Sequence, residues 1–579
     1  MRRWNLYVGT GAIVALILSV LLALDLSQHG LAWRAAWALT GEEEPLSQVR
    51  GVVEWLGNAT RAMPRTDPYA AVKHVHTSPF GINTFLQLEA DPAVRERSMQ
   101  EIAAAGFTYI RQQFPWQDIE IHGRGDFEDR RNVDAIGVVN AWDKYDQIVG
   151  LAETYGIQIQ ARVDTPPEWS RSDPNEGTLA PPDDWNDYYT FLRLVAERYA
   201  GRIFHYQIWN EPNIYPEWGN NPVNPEAYAE VLCRAYEVLK SVDPQIVVHA
   251  AALSPTVALT ERDLSDLIFL QRMYDAGFSG CFDVMSVQGY GFYSGPTDQR
   301  LRAVTLNYGR PQYIRDLMVA NGDANVPVWI SEAAWNPVGE PDVPEIPGKE
   351  NFGSVTEEQA ARYMPLAFER ATREWNWIGV IMYWYWKRPD ESERGQPFYY
   401  FRMVEPDFTP LPVYGAMRDY IASAPPVLYR GTHAAMHRFI EAEGVAETAA
   451  GSRFSPVLRT SSAVFEAEGT HVLIRWQGGD RLRVSMDGGT AGEYALRPDA
   501  EGWTTSIVHR SLIPERHAFT VESDAPFLLD SVSVFDRTLV QLMPPLAAVL
   551  VVIVAELLLV GSMLVAGRRR RSNPDEAMR

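Results

Sequence analysis

The segment His205-Tyr-Gln-Ile-Trp-Asn-Glu-Pro-Asn213 has the pattern of a short apolar strand that ends in polar residues. A stretch of helical length follows it at Pro225–Val242, and a second apolar, β-branched run follows at Ile246–Ala251. A strand, a helix and another strand in this order are typical of a parallel βα unit. The segment therefore predicts an α/β fold, and the number of such units determines which one.

The same alternation extends from Ser78 to about Pro425. Eight strands, each followed by a helix, fit a (β/α)₈ TIM barrel. A doubly wound sheet usually has a glycine-rich phosphate turn after its first strand, and Phe80-Gly-Ile-Asn83 is not one. The predicted strands are Phe80–Asn83, Tyr109–Arg111, Ile157–Val163, His205–Trp209, Ile246–Ala251, Val284–Gln288, Val328–Ser331 and Gly379–Tyr385. The predicted helices are Pro92–Ala105, Asp143–Tyr155, Trp185–Tyr199, Pro225–Val242, Asp263–Ala276, Pro311–Ala320, Thr356–Glu374 and Tyr414–Ile421.

The helical period fades after the barrel. From about Ser461 to Phe535, short alternating segments separated by Gly-Gly and Asp-Gly turns predict a small β-sandwich. The expected organisation is an N-terminal membrane anchor over residues 1–25, a juxtamembrane connector over 26–77, the barrel over 78–425, the β-sandwich over 426–538, a C-terminal span over 539–567 and a basic tail over 568–579.

The two ends of the chain predict its location. The uncharged run Leu6–Leu24 is long enough for a bilayer, and a second apolar run, Leu542–Ala566, stops at four arginines. The first run is either a cleaved signal peptide or an uncleaved anchor, and the absence of a clear cleavage site favours the anchor. The positive-inside rule places both termini in the cytoplasm and the rest outside, held by two transmembrane helices in the lipid bilayer. Glu556 lies in the second span, where a protonated, hydrogen-bonded side chain is favoured over a functional one.

The composition excludes several classes of function. Lys and Arg total 52 against 74 Asp and Glu, and a net charge of −22 leaves no basic face for nucleic acid. The 18 tryptophans suit a core or flat platforms for sugar rings. Two cysteines, Cys233 and Cys281, exclude a disulfide scaffold, and the sequence does not show whether they pair. The scattered histidines contain no metal motif, so neither a metal nor a cofactor is expected, and nothing indicates an oligomeric state.

Two glutamates lie where predicted strands end. Glu211 follows the fourth strand and Glu332 the seventh, in Val328-Trp-Ile-Ser-Glu332. The active site of a TIM barrel lies at the carboxyl ends of its strands, and strands four and seven face each other across the mouth. One such glutamate would more often cap a helix or pair with an arginine. Two at these strands predict the carboxyl pair of retaining glycoside hydrolysis, about 5–5.5 Å apart.

These residues resemble glycoside hydrolase clan A. Trp209-Asn-Glu-Pro-Asn213 and Glu332 carry the resemblance, and the segments Gly106–Glu120, Trp142–Asp146 and Thr165–Trp169 are similar to family 39, with family 5 and 42 similarities. The resemblance implies that Glu211 is the general acid/base and Glu332 the nucleophile. It also implies that Asn210 binds the sugar 2-hydroxyl, that Tyr290 orients Glu332, and that the charge of Arg111 keeps the nucleophile ionised. The sugar platform would be Trp384 or Trp386, of which Trp384 is favoured. Many relatives carry a histidine where this chain has Gln288, which puts the contacts near the nucleophile in doubt.

Several loop residues above the strand ends are further candidates for the substrate site. Each is as consistent with bracing a loop as with binding sugar: Trp116, Asp164, Trp169, Trp335 and Lys387. The acidic, proline-rich seventh loop at Pro337–Val355 is expected to be a solvated excursion rather than a lid. Gly469–Trp476, Val484–Gly488 and Leu529–Phe535 resemble jelly-roll modules of the galactose-binding type, whose role is either sugar binding or spacing.

Together, these observations predict a membrane-anchored, extracytoplasmic retaining glycoside hydrolase that acts on a poly- or oligosaccharide. The alternatives are a transglycosylase and a non-catalytic carbohydrate-binding or assembly protein of an envelope polysaccharide system.

Overall fold

The computed structural model describes residues 2–74 and 77–536. The predicted C-terminal span with Glu556 and the arginine-rich tail lie outside the described residues.

Eight parallel strands form a closed barrel in chain order. Each strand pairs with the next, the eighth returns to the first through Phe80 beside Ile381, and the fifth meets the sixth through the bridges His249–Val284 and Leu253–Val287. The predicted (β/α)₈ barrel is thus confirmed. Its strands are β1 Phe80–Thr84, β2 Tyr109–Pro115, β3 Gln158–Asp164, β4 His205–Ile208, β5 Val247–His249, β6 Met285–Gln288, β7 Val328–Ala333 and β8 Ile378–Tyr383.

Several helices begin at recognisable capping residues. Asn224 accepts a hydrogen bond from the Ala227 amide ahead of a helix that starts at Pro225, and Thr356 forms a capping box with Gln359. The predicted helix at Asp263 starts later, at Asp266, because the Asp263 amide bonds the Thr260 hydroxyl in a turn. The helices are α1 Arg2–Ser27, α2 Leu31–Thr40, α3 Pro45–Leu56, α4 Pro92–Ala104, α5 Val133–Ile136, α6 Asp143–Thr154, α7 Trp185–Arg198, α8 Pro225–Val242, α9 Asp266–Asp275, α10 Pro311–Ala320, α11 Glu357–Glu374 and α12 Pro412–Ser423.

The N-terminal helices differ from the expected single anchor. Within residues 2–74 and 77–536, no one helix combines the length and apolarity of a membrane span. Leu16–Ser27 and Leu31–Thr40 meet those criteria only together, as a pair bent by 66°. The single span predicted over Leu6–Leu24 is therefore not supported.

Helices α2 and α3 pack on the barrel, although the sequence suggested a connector near the bilayer. Arg300, in the loop after β6, binds Glu42 at 2.7 Å and Glu54 at 3.2 Å. Glu43 accepts hydrogen bonds from Arg362 and Tyr363 of α11. The outer face of α3 carries an exposed apolar stripe at Leu46, Val49 and Val53.

The C-terminal region is a β domain with its own core. The predicted C-terminal β domain is confirmed, and its strands are connected by hydrogen bonds into one continuous set. The sandwich of jelly-roll type stays a prediction. Two strands are long enough to pair with each other repeatedly and enclose a core that includes Phe465, Trp476 and Phe527. The strands are β9 Val427–Leu428, β10 Gly431–Ala434, β11 Ile440–Glu441, β12 Gly444–Glu447, β13 Val457–Gly478, β14 Arg481–Met486, β15 Gly492–Ala495 and β16 Thr504–Phe535.

The two cysteines form a disulfide between α8, at Cys233, and the segment before β6, at Cys281. This answers a question that the sequence left open. The cross-link ties two successive βα units of the barrel wall together.

Candidate active site

Arg111 is the centre of a hydrogen-bond network at the carboxyl end of the barrel. Its Nη1 donates to Glu332 Oε1 at 2.8 Å and to Asn83 Oδ1 at 2.9 Å. Its Nη2 donates to Asn210 Oδ1 at 2.7 Å, and its Nε donates to Gln207 Oε1 at 2.9 Å. The guanidinium group is 2% exposed, so the network uses almost all its donors and keeps it in one orientation.

Both oxygens of the Glu332 carboxyl have a donor. Arg111 binds Oε1, and the hydroxyl of Tyr290 donates to Oε2 at 2.6 Å. Burial and the Glu332 charge raise the pKa of Tyr290, so the phenol keeps its proton. A buried carboxylate that accepts a charged and a neutral hydrogen bond is held as an anion in a fixed position.

Glu211 has the opposite environment. It accepts a hydrogen bond from Gln288 Nε2 at 3.0 Å, and it contacts no arginine among the described ion pairs. Burial, the charge of Glu332 and the charge of Glu217 raise the pKa of Glu211 to about 8. The Glu211 carboxyl is therefore suited to carry a proton at neutral pH, next to an anion that is paired with a cation.

Gln288, where the chain departs from the family pattern, makes its polar contact with the other glutamate and not with the predicted nucleophile. Its amide reaches Glu211 rather than Glu332. The neutral donor satisfies one carboxyl oxygen without adding a charge.

Local backbone geometry aims these groups. Trp209, between β4 and Asn210, has a φ of +70°, which is uncommon for a bulky residue. Its buried indole packs against Trp185 and Trp218. The packing holds the turn that directs Asn210 and Glu211 to the mouth of the barrel.

A third acid, Glu217, was missed by the sequence analysis. Its Oε1 accepts from Asn210 Nδ2 at 2.9 Å, so it fixes the amide that also binds Arg111. Burial raises the pKa of Glu217 to about 7, while the nearby Arg162 charge opposes that shift. Glu217 lies in the loop after β4, where no strand-end rule applies, and only its closeness in sequence to Glu211 signalled it.

The structure separates the two tryptophans predicted as the sugar platform. Trp384 is half-buried and meets Phe85 edge-on, at 5.5 Å between ring centres. Trp386 is 1% exposed and packs on Tyr414. Trp384 alone of the two is available at the surface of the cleft.

The other candidates from the loops are structural in their contacts. The indole nitrogen of Trp116 donates to Glu120, and that of Trp335 donates to the Ser294 carbonyl, so both buried rings brace loops and neither is available to a sugar. Asp164 is paired with Arg162 at 2.8 Å. The half-buried Trp169 donates to the Glu120 carbonyl, and the buried Lys387 pairs with Glu89.

The seventh loop is buried at its two ends, and much of its middle, including residues 341–342, 344–345 and 350–352, is exposed as expected. Val338 lies in an apolar cluster with Tyr399 and Tyr400. Phe352 meets Phe401 at 5.9 Å, and Phe401 in turn contacts Tyr290 at 5.5 Å. This loop therefore supports the wall of the cleft beside Tyr290.

No protein-family model matches the sequence, and no curated protein matches it. Among solved structures, a family 39 glycoside hydrolase from the gut symbiont Bacteroides cellulosilyticus WH2 is similar at 17% identity and a TM-score of 0.44, over 77% of this chain and 81% of that one. A family 39 β-xylosidase from Caulobacter crescentus is similar at 14% identity and a TM-score of 0.42, over 80% and 98%.

A family 5 enzyme from Streptomyces cattleya is also similar, at 17% identity and a TM-score of 0.44, over 61% of this chain and 83% of that one. These names agree with the resemblance to families 39 and 5 found in the sequence. At such low identities and TM-scores, the likeness decides neither substrate nor mechanism.

Proposed function

We propose that the chain is a retaining glycoside hydrolase that cleaves O-glycosidic bonds of a poly- or oligosaccharide. The observation that carries the proposal is the unequal pairing of two neighbouring glutamates, each of which feels the charge of the other. Glu332 is bound to the cation Arg111 and to Tyr290. Glu211 is bound to Gln288 and Ser254, which are both neutral. An anion beside a protonated acid is the combination that double displacement needs.

In the first step, Glu332 attacks the anomeric carbon while Glu211 gives its proton to the departing oxygen. The bond to the aglycone breaks as the ester to Glu332 forms. Arg111 and Tyr290 hold the attacking carboxylate in place. Asn210, fixed between Arg111 and Glu217, presents its amide to the sugar ring.

In the second step, Glu211 is an anion and takes a proton from water. The water oxygen attacks the anomeric carbon, the ester to Glu332 breaks, and the sugar leaves with its original configuration. In a transglycosylase, a sugar hydroxyl replaces that water. In a non-catalytic binding protein, neither step occurs.

The test uses the full chain with aryl glycosides and azide. We expect Glu332→Ala to lower kcat by about 10²–10⁴-fold or more, with azide restoring turnover and giving a glycosyl azide of inverted configuration. For Glu211→Ala, azide should give the retained configuration, because the glycosyl ester to Glu332 still forms.

Glu120→Gln is the matched control, because it changes a buried carboxyl that contacts Trp116 and lies outside the network. Its rate should stay near that of the wild type. Equal inertness of wild type and variants across a broad glycoside panel, with glycan binding intact, would instead support the binding-protein alternative. Product analysis with acceptor sugars present separates hydrolysis from transglycosylation.

We further propose that the barrel is held at a membrane and lies outside the cytoplasm. The disulfide between Cys233 and Cys281 supports an oxidising compartment. The apolar N-terminal run and the exposed stripe on α3 support contact with lipid. Protease added to intact spheroplasts should digest the barrel, and its survival until the cells are lysed would refute this placement.

A further inference from the structure

Three side chains of the β domain converge far from the barrel mouth. His509, Glu515 and His517 of β16 each offer one ligand atom, and these atoms lie within 4.8 Å of one another. Glu515 Oε2 is 3.4 Å from His517 Nε2 and 3.8 Å from His509 Nε2. The ligand atoms of a tetrahedral zinc ion, at bond lengths of about 2.0–2.1 Å, are separated by about 3.3 Å, so a small adjustment would close the set.

His509 has an unused nitrogen that faces this cluster. The residue is only 9% exposed, and its Nε2 has no hydrogen-bond partner within residues 2–74 and 77–536. Its nearest carboxylate oxygen, on Glu515, is beyond hydrogen-bond distance. A buried polar atom without a partner is costly, and a ligand between His509 and Glu515 would satisfy it.

A second carboxylate orients His517. Asp487 Oδ2 lies 2.7 Å from His517 Nδ1, and Asp487 Oδ1 accepts from the Ala518 amide at 2.9 Å. With a proton on Nδ1, the Nε2 atom has a free lone pair that points to Glu515. Metal-binding histidines usually have such a carboxylate behind them.

The path of β16 explains how distant residues meet. Arg510 pairs with His471 and Glu515 pairs with Gly469, so residues 511–514 bulge out opposite Thr470 alone. Glu515 and His517, two residues apart on a strand, share one face. The bulge returns this face towards His509, so no linear metal motif appears in the sequence.

We propose that His509, Glu515 and His517 bind one divalent transition metal ion, with Zn²⁺ the best fit, and that Asp487 positions His517. Two imidazoles and one carboxylate are a ligand set that zinc prefers, and a water molecule completes four-coordination. The ion would link the two arms of β16 across its bulge. This site is independent of the glycosidase proposal, because it contains no residue of the barrel.

The test is a calorimetric titration of the EDTA-treated full chain with Zn²⁺ alone. We expect one ion per chain. His509→Asn and Glu515→Gln should each weaken the Kd at least about 10-fold, and Asp487→Asn about 10–100-fold. A Co²⁺-loaded sample should show the visible absorption of tetrahedral cobalt, and that absorption should be lost in the His517→Asn variant.

His122→Asn is the matched control, because it removes an exposed imidazole from a loop of the barrel. Its zinc titration should equal that of the wild type. Because Glu515 is exposed, Glu515→Gln tests the site without disturbing the core, and circular dichroism of each metal-free variant checks its fold. The proposal is overturned if the chain binds no stoichiometric zinc, or if folded Glu515→Gln and His509→Asn bind it as tightly as the wild type.

Discussion

The two ends of the barrel interior both hold buried polar side chains, yet they treat charge differently. At the mouth, Arg111 and Glu332 form an ion pair at 2.8 Å. At the amino-terminal end, which we call the floor, His205 Nδ1 lies 3.0 Å from His249 Nε2, and both rings pack within 4.7 Å of the Trp329 ring. The mouth therefore holds a buried ion pair, whereas the floor holds two neighbouring imidazoles.

Burial is the common cause of both outcomes. At the floor it lowers the pKa of His205 to about 3 and that of His249 well below its usual range, so both imidazoles are neutral. At the mouth it raises the pKa of Glu211, but Arg111 compensates Glu332. The difference indicates what a buried acid and base pair needs. A fixed counter-charge, here Arg111, keeps one carboxyl ionised, and the neighbouring carboxyl then keeps its proton.

The largest expected effect comes from removing that counter-charge. Arg111→Met leaves the Glu332 carboxylate buried without a cation, which should lower kcat/KM by about 10²–10³-fold, or roughly 3–4 kcal/mol. His249→Gln, which changes the floor, should alter kcat/KM less than about threefold. Steady-state kinetics of the two variants, with circular dichroism to check the fold, measures this difference. Similar losses of kcat/KM in the two variants would contradict the contrast between mouth and floor.

An intermediate effect is expected on the pH dependence of stability. The pKa of Glu211 is raised on folding, so its contribution is present at low pH and is lost as the pH rises from about 4.5 towards 8. The pKa values of His205 and His249 are lowered, so stability is lost as the pH falls below about 6.5. The two ends should therefore respond in opposite directions.

Thermal unfolding at several pH values measures this opposition. Relative to wild type, Glu211→Gln should gain about 2–4 °C in Tm between pH 5 and pH 8.5, and His249→Gln should gain a similar amount between pH 7 and pH 4. If the Tm differences from wild type increased in the same direction of pH for both variants, the assignment of opposite charge states would be wrong.

The smallest expected effect concerns the influence of Glu217 on the pKa of Glu211. The Glu217 charge helps to raise the pKa of Glu211, so Glu217→Gln should move the alkaline limb of kcat/KM to lower pH by about half a unit to one unit. Glu168→Gln, an exposed acid in a neighbouring loop, is the control. An unchanged limb, or one displaced to higher pH, would show that Glu217 does not act on Glu211.

The periodic parts of the barrel were predictable from sequence. The helices at Pro225–Val242 and Pro311–Ala320 match the prediction to the residue. A proline marks the start of each, and the first is also capped by Asn224. The β domain was less predictable. Alternation identifies strands but does not show that two of them continue through bends and pair with each other along most of their length.

Some residues of the candidate site were likewise predictable from the sequence, and others were not. Glu211, Glu332, Asn210 and Arg111 were identified because they stand at strand ends or in a short motif. Trp116, Trp335 and Trp386 have the same chemistry as Trp384, and only the packing of loops buries them. Glu217 was missed because it lies in the loop after β4, and only the turn of that loop brings it back to Asn210.

Local periodicity and chain direction were enough to predict the strand and helix order, the barrel class and the position of two acids on facing strands. Tertiary structure alone decided which acid receives Arg111 and which receives Gln288, that Cys233 meets Cys281, and that three ligands meet beside the bulge of β16. Such partnerships depend on distances between segments remote in the chain, and burial then sets their charge. No local pattern records those distances.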